Sequence, residues 1–136
     1  MTNITDPTQF KICIIEDEES IRELYRIKLE SEHYQVFTAK DGLEGLELLR
    51  KTSPNLALID LMMPNMNGFE MMEKMKADPE LKNIPIVILT NFDDTESINK
   101  TSHFDADFYL VKAQYSPSDV ARIVKEVLDS HHEFSF

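Results

Sequence analysis

The segment Asn55-Leu56-Ala57-Leu58-Ile59-Asp60-Leu61-Met62-Met63-Pro64-Asn65-Met66-Asn67-Gly68 constrains the fold more than any other. Leu56 to Ile59 is an unbroken apolar run, too short for a typical helix. Such a run reads as a strand buried on both faces, as in a parallel sheet. It stops at a lone carboxylate, Asp60. Pro64, Asn65, Asn67 and Gly68 then mark a loop, because proline removes a backbone donor and glycine and asparagine tolerate positive φ. Asp60 is therefore expected at the carboxyl end of a central strand, the edge where open α/β sheets bind ligands. Taken alone, Asp60 reads equally well as a cap on the following turn.

Other apolar runs alternate with helical patterns. Residues 10–15 form a first strand that runs into Glu16-Asp17-Glu18-Glu19. A helix over about 21–31 follows, capped by Ser20 or a neighbouring acid, with Ile21, Leu24, Tyr25 and Leu29 as its apolar face. Residues 36–39 are a short second strand. Asp41-Gly42 opens a turn into a helix reaching Arg50 or Lys51, with Leu43, Leu46 and Leu49 at helical spacing. Ser53-Pro54 ends it, since the residue before proline avoids the helical region. After the central strand comes a helix over about 68–76, with Phe69, Met72 and Met75 on one face. Pro85 introduces the fourth strand, 86–89, which ends at Thr90. Asp93 or Asp94 caps a weak helix to about 102, whose main apolar residue is Ile98. The fifth strand, 107–111, ends at Lys112. Ser116 caps a last helix to about 130, with Pro117 in its first turn and a stripe of Val120, Ile123, Val124, Val127 and Leu128. Five strands alternating with five helices imply a doubly wound α/β fold, a parallel sheet with helices on both faces.

The length of 136 residues suits one domain, and 42% hydrophobic residues suit a globular core. Residues 1–9 read as a mobile polar arm, 10–130 as the domain and 131–136 as a short tail. The net charge of −11 repels nucleic-acid phosphates and anionic membranes, which argues against direct nucleic-acid binding. The single cysteine, Cys13, sits in an apolar run and is expected to be a buried, inert thiol. The start of the chain lacks the basic and apolar stretches of a signal peptide, and no apolar run approaches a membrane span. A soluble cytoplasmic chain is expected.

In a parallel sheet all carboxyl ends of strands lie on one edge. That edge collects Glu16 and Asp17, Asp60, Thr90 and Lys112. Crowded carboxylates repel, by about 4 kcal/mol per pair at 4 Å and an effective dielectric near 20. Either one retains a proton or a cation sits among them. Mg²⁺ suits a site with few carboxylates plus water and phosphate.

These residues resemble the receiver domain of two-component response regulators, the CheY-like family, over nearly the whole chain. The shared motifs are the acid pair Glu16-Asp17, the sequence Asp60-x-x-Met63-Pro64 with Gly68 following, Thr90, Lys112, and the Lys40-Asp41-Gly42 turn. The resemblance implies a flavodoxin-like strand order of 2-1-3-4-5. It implies that Asp60 accepts a phosphoryl group from a phosphohistidine on a sensor histidine kinase or phosphotransfer protein. Glu16, Asp17, Asp60 and the backbone carbonyl of Met62 would hold Mg²⁺. Lys112 would pair with the phosphoryl oxygens, and Thr90 would hydrogen-bond one of them. Thr90 and Tyr109 would act as switch residues, Tyr109 turning inward, so that a downstream protein binds one of two packings. Relatives also dimerise through the fourth helix, fifth strand and fifth helix, where Arg122 and Lys125 opposite Asp105 or Asp107 would serve as a charged face or stand as solvated charges.

Three positions depart from the family pattern. Ala113 follows Lys112 where a cis proline is usual, so a trans or strained bond is expected, because a non-proline cis bond costs about 2.5–4 kcal/mol. Asn91-Phe92 is bulkier than usual after Thr90, and Phe92 either shields an acyl phosphate or is a loop hydrophobe. Asp105 stands where glycine usually precedes the fifth strand, and aspartate tolerates the left-handed region better than most residues. Three other functions compete. An aspartyl-phosphate phosphatase of the haloacid-dehalogenase type would carry a second Asp at position 62, which is Met62 here. A flavin-binding protein of similar topology would need a phosphate cradle where Glu16 to Glu19 stand. A receiver-like adaptor that never takes phosphate would not need the full set of site residues. The reading is of a signalling module that acts chemically only on itself.

Overall fold

The computed structural model describes residues 6–132, apart from the side chains of His103 and His132. Strands β1 (Lys11–Ile15), β2 (Gln35–Ala39), β3 (Leu56–Ile59), β4 (Ile86–Thr90) and β5 (Phe108–Val111) form one parallel sheet in the order β2-β1-β3-β4-β5. Helices α1 (Glu19–Ser31), α2 (Gly42–Thr52), α3 (Gly68–Ala77), α4 (Thr95–Thr101) and α5 (Pro117–His132) alternate with the strands. The expected doubly wound architecture and strand order are both present.

Successive residues of the three central strands face opposite helical layers. Ile12, Ile14, Leu56, Leu58, Val87 and Leu89 pack with Tyr25 and Leu29 of α1 and with Val120, Val124 and Leu128 of α5. Cys13, Ile15, Ala57, Ile59, Ile86 and Ile88 pack with Leu46 and Leu49 of α2 and with Met71, Met72 and Met75 of α3. With both faces covered, these strands carry no polar alternation. Most of the methionines thus serve as core.

Local chemistry sets the helix starts. Asp41 caps α2 by accepting from the Glu44 N–H, and Asp94 caps α4 by accepting from the Ser97 N–H. Asn67 and Glu70 form a reciprocal capping box at α3. Ser116 and Asp119 exchange the same pair of bonds at the start of α5. Helix α1 begins earlier than expected, and its cap residue is Glu18, without a side-chain cap bond. Its buried stripe runs through Tyr25 and Leu29. Leu24, expected on that face, is exposed together with Ile27, because the helix settles on an i, i+4 stripe one step round from Leu24. Leu43 is likewise exposed in the first turn of α2.

The two helices that follow β4 and β5 are held very differently. All five stripe residues of α5 are buried, each worth about 1.5–3 kcal/mol. In α4 only Thr101 is buried, as expected for a loosely packed helix. Asp6 caps a 3-10 turn at Pro7–Gln9, and Gln35 Nε2 donates to the Thr8 carbonyl at 2.8 Å. That much of the expected N-terminal arm is folded against β2. Residues 1–5 of the arm and 133–136 of the tail lie outside the described residues.

Candidate functional site

Strand register brings the candidate residues to one edge. Ile15 pairs with Ile59, and the Asp60 N–H donates to the Ile15 carbonyl at 3.0 Å. Glu16 and Asp60 therefore leave the sheet side by side. Ile59 pairs with Ile88, and Thr90 pairs with Val111. Thr90 thus stands one level beyond Asp60 and Lys112 two, from where the long lysine stem reaches back.

Carboxylate oxygens of Glu16, Asp17 and Asp60 all lie within 4.8 Å of one another. Glu16 and Asp60 are buried, and Asp17 is exposed and opens the cluster to solvent. Lys112 Nζ is 2.5 Å from Glu16 Oε1 and 3.2 Å from Asp60 Oδ2. The other Asp60 oxygen, Oδ1, accepts from the Met62 N–H at 3.3 Å. The Met62 side chain itself is exposed. Thr90 is fully buried, and its hydroxyl oxygen accepts from the Phe92 N–H at 3.4 Å. Half-buried Tyr109 donates its hydroxyl to the Phe92 carbonyl at 2.8 Å. The tyrosine therefore pins the loop after β4 rather than touching Asp60.

The electrostatics follow from burial. Burial pushes the Glu16 carboxyl up to about 7, and the nearby Asp60 charge adds to this, against the hydrogen bond from Lys112. Burial alone would lower the Lys112 ammonium. Its hydrogen bond to Glu16 and the charges of Asp60 and Glu16 outweigh that and raise it. Tyr109 is pushed up to about 12 by burial and by Asp94, Asp93 and Asp60. One ammonium among three carboxylates leaves an excess of negative charge, so this all-oxygen donor set can hold a metal ion.

Two glycines fix the loop that follows Asp60. The Gly68 N–H donates to the Leu61 carbonyl at 3.0 Å, and a Cβ there would run into the Asp60 backbone and come 2.8 Å from Leu61 Cα. The Gly42 N–H donates to the Met66 carbonyl at 3.0 Å, and a Cβ at Gly42 would come 2.6 Å from that oxygen. Asn65, left-handed at φ 65°, donates to Asp41 Oδ2 at 2.8 Å. The turn before α2 thus braces the loop after β3.

The departures resolve as follows. The Lys112–Ala113 bond is trans, and the chain turns through a short 3-10 segment at Lys112–Gln114. Asp105 takes the left-handed conformation at φ 55°, so the turn geometry survives loss of the glycine. Phe92 packs against the core on the α2 and α3 side. Within the chain, Arg122 pairs with Asp119 and Lys125 with Asp129 along α5. His131, the first residue of the expected tail, belongs to α5, and its Nε2 lies 2.9 Å from Asp107 Oδ1. A shallow concavity of about 320 Å³ between Pro54, Ile84 and His131 lies at the amino ends of the strands, away from the acid cluster.

One residue at the site has no counterpart in the sequence reading. Arg22 Nη1 donates to the carbonyls of Glu16 at 2.9 Å and Asp17 at 3.3 Å. Its only signal in the sequence is a basic residue one turn into the helix that follows four consecutive acids.

A doubly wound sheet whose carboxyl edge gathers an acid pair, a lone acid, a hydroxyl and an ammonium defines the receiver class of signalling domain. Residues 12–127 match the response regulator receiver domain, and the chain belongs to that family, a CheY-like module of two-component signalling. It is 33% identical over 118 residues to a probable transcriptional regulator, ycf27, of Porphyridium aerugineum, covering 87% of this chain and 48% of that protein. The chain spans about half the length of that relative and of the other ycf27 regulators it matches. Among solved structures it resembles a CheY-like receiver domain protein of Methanospirillum hungatei, with a TM-score of 0.83 and 30% identity over 91% of this chain and 97% of that one. It also resembles the phosphorylated cyanobacterial phytochrome response regulator RcpA, with a TM-score of 0.74 and 29% identity over 88% and 91% of the two chains. No described helix is long and apolar enough to cross a membrane.

Proposed function

We propose that this chain is a phosphorylation-controlled switch in which Asp60 accepts a phosphoryl group from a phosphohistidine of a sensor histidine kinase or phosphotransfer protein. The observation that carries the reading is the convergence on buried Asp60 of Lys112 at 3.2 Å and of two further carboxylates within 4.8 Å. RcpA, a similar chain, has been seen phosphorylated. An Asp60 carboxylate oxygen attacks phosphorus while the phosphorus–nitrogen bond of the donor breaks. The departing imidazole takes a proton, and Asp60 becomes an acyl phosphate. Lys112, already on Asp60, stabilises charge on the phosphoryl oxygens. Thr90, whose hydroxyl oxygen accepts from the Phe92 N–H, donates its hydroxyl proton to a phosphoryl oxygen.

Glu16, Asp17 and Asp60 fit Mg²⁺, since all are hard oxygen donors and exposed Asp17 leaves one side open to water; the Met62 carbonyl would join them. When bound, the ion offsets charge on the transferring oxygens. The chain turns over no separate substrate and acts only on its own acyl phosphate. The switch is a population shift of weakly anchored α4 and of the Tyr109–Phe92 contact, read by a protein partner. Residues 10–130 form the receiver unit. The net charge of −11 over the whole chain repels nucleic-acid phosphates, so the partner that reads the switch is a protein. The face of α4, β5 and α5 is available for a homodimer.

The test is intact-mass measurement after incubation with a small phosphodonor. The parent chain gains one phosphoryl group with Mg²⁺, and gains none in chelator or as Asp60→Asn. A parent mass unchanged with Mg²⁺ would refute the reading.

A further inference from the structure

We propose that Arg22 is a positioning residue, a clamp that holds the acid pair where a divalent cation needs it. The inference rests on the magnesium reading above. Arg22 Nη1 donates to two successive carbonyls, Glu16 at 2.9 Å and Asp17 at 3.3 Å. Both lie past the end of β1. The Ile15 carbonyl is still in the sheet, accepting from the Asp60 N–H, and the Glu16 N–H still donates to the Ala39 carbonyl at 3.0 Å, whereas the Glu16 and Asp17 carbonyls lie past its edge. The guanidinium takes over from the sheet as partner of the carbonyls of the two residues whose side chains must converge on Asp60.

The clamp has a rigid base. The Arg22 N–H donates to the Glu18 carbonyl at 2.8 Å in the first turn of α1, and Tyr25 and Leu29 anchor that helix in the core. Glu16 Oε2 accepts from the Glu18 N–H at 3.0 Å, which closes the turn from its other side. Fixing a residue's carbonyl fixes the plane from which its Cα–Cβ bond departs. Holding both carbonyls therefore restricts where the Glu16 and Asp17 carboxylates point. A planar guanidinium suits this better than an ammonium, because its donors sit in a fixed fork. It also brings a positive charge to a run of four acids, Glu16 to Glu19, which would otherwise push the loop open.

Groups that orient metal ligands from outside the first sphere typically cost about 10- to 100-fold in metal affinity when removed. The test is Mg²⁺ calorimetry on the parent, Arg22→Met and Arg22→Lys, beside thermal melting of each in chelator. Arg22→Met is expected to bind Mg²⁺ about tenfold more weakly, and Arg22→Lys to lie between it and the parent. Metal-free melting temperatures should stay close to the parent's. Phosphorylation of Arg22→Met by a small phosphodonor should return to near the parental rate at saturating Mg²⁺, because only occupancy is lost. A parent that binds no Mg²⁺ would overturn the underlying reading. A parent that binds, with both variants at equal affinity, would overturn the clamp alone, as would a metal-free melting temperature that falls in step with affinity. If Arg22→Met does not fold, the Arg22→Lys affinity decides by the same criterion.

Discussion

Lys112 Nζ lies 2.5 Å from Glu16 Oε1, closer than the 3.2 Å that separates it from Asp60 Oδ2. Without a metal the lysine is therefore shared by two buried acids, and Glu16 retains a proton up to about pH 7. A carboxyl raised in the folded state holds its proton where the unfolded chain has released it. Its contribution to stability is complete below about pH 4.5 and is lost as pH rises through about 7. In chelator, the stability of the parent relative to Glu16→Gln should fall across that window, as read by urea denaturation at several pH values. A relative stability that rises there would contradict the burial argument.

Gly68→Ala should destabilise the protein by about 1–3 kcal/mol, the usual range for forcing a methyl into a packed site. The added carbon would press on the Asp60 and Leu61 backbone. The loop carrying Met62 must then move, so Mg²⁺ affinity should fall together with the denaturation midpoint. Unchanged values of both would show that the loop has room.

Tyr109→Phe removes the 2.8 Å hydrogen bond to the Phe92 carbonyl. The expected cost is about 0.5–1.5 kcal/mol in chemical denaturation. Faster amide exchange should be confined to the loop after β4 and to α4, which has little buried surface of its own. Exchange that rises uniformly over the sheet would place the hydroxyl's role elsewhere.

Cys13 is fully buried, its thiol is pushed up to about 11 by burial, and its sulfur lies 3.3 Å from Thr52 Oγ1. At pH 8 a thiol reagent should leave the folded chain unmodified and react rapidly once denaturant unfolds it. Prompt labelling of the native protein would contradict this.

The sequence made most of the frame legible because one physical signal repeats. Short apolar runs without polar alternation read as strands covered on both faces, and the runs of β1, β3 and β4 end at Glu16, Asp60 and Thr90. Leu56–Ile59 is found with its expected bounds, and Asp60, Thr90 and Lys112 fall at the expected strand ends. Helix faces were less legible. Leu24 and Leu43 lie beside the buried stripes of α1 and α2, and periodicity alone cannot say which side of a broad apolar face meets the sheet. Arg22 and His131 escaped because their partners, the carbonyls of Glu16 and Asp17 and the carboxylate of Asp107, are set by how a helix seats on the sheet. The left-handed turn at Asp105 was readable as a tolerance of aspartate but became definite only with φ 55°.

The central claim is that Asp60 itself takes the phosphoryl group. Borohydride reduces an acyl phosphate on aspartate to homoserine, which peptide mass mapping locates. After treatment with a small phosphodonor and Mg²⁺, homoserine should appear at position 60 and nowhere else. Homoserine at another aspartate, or a phosphoryl group that survives on a different side chain, would contradict the account.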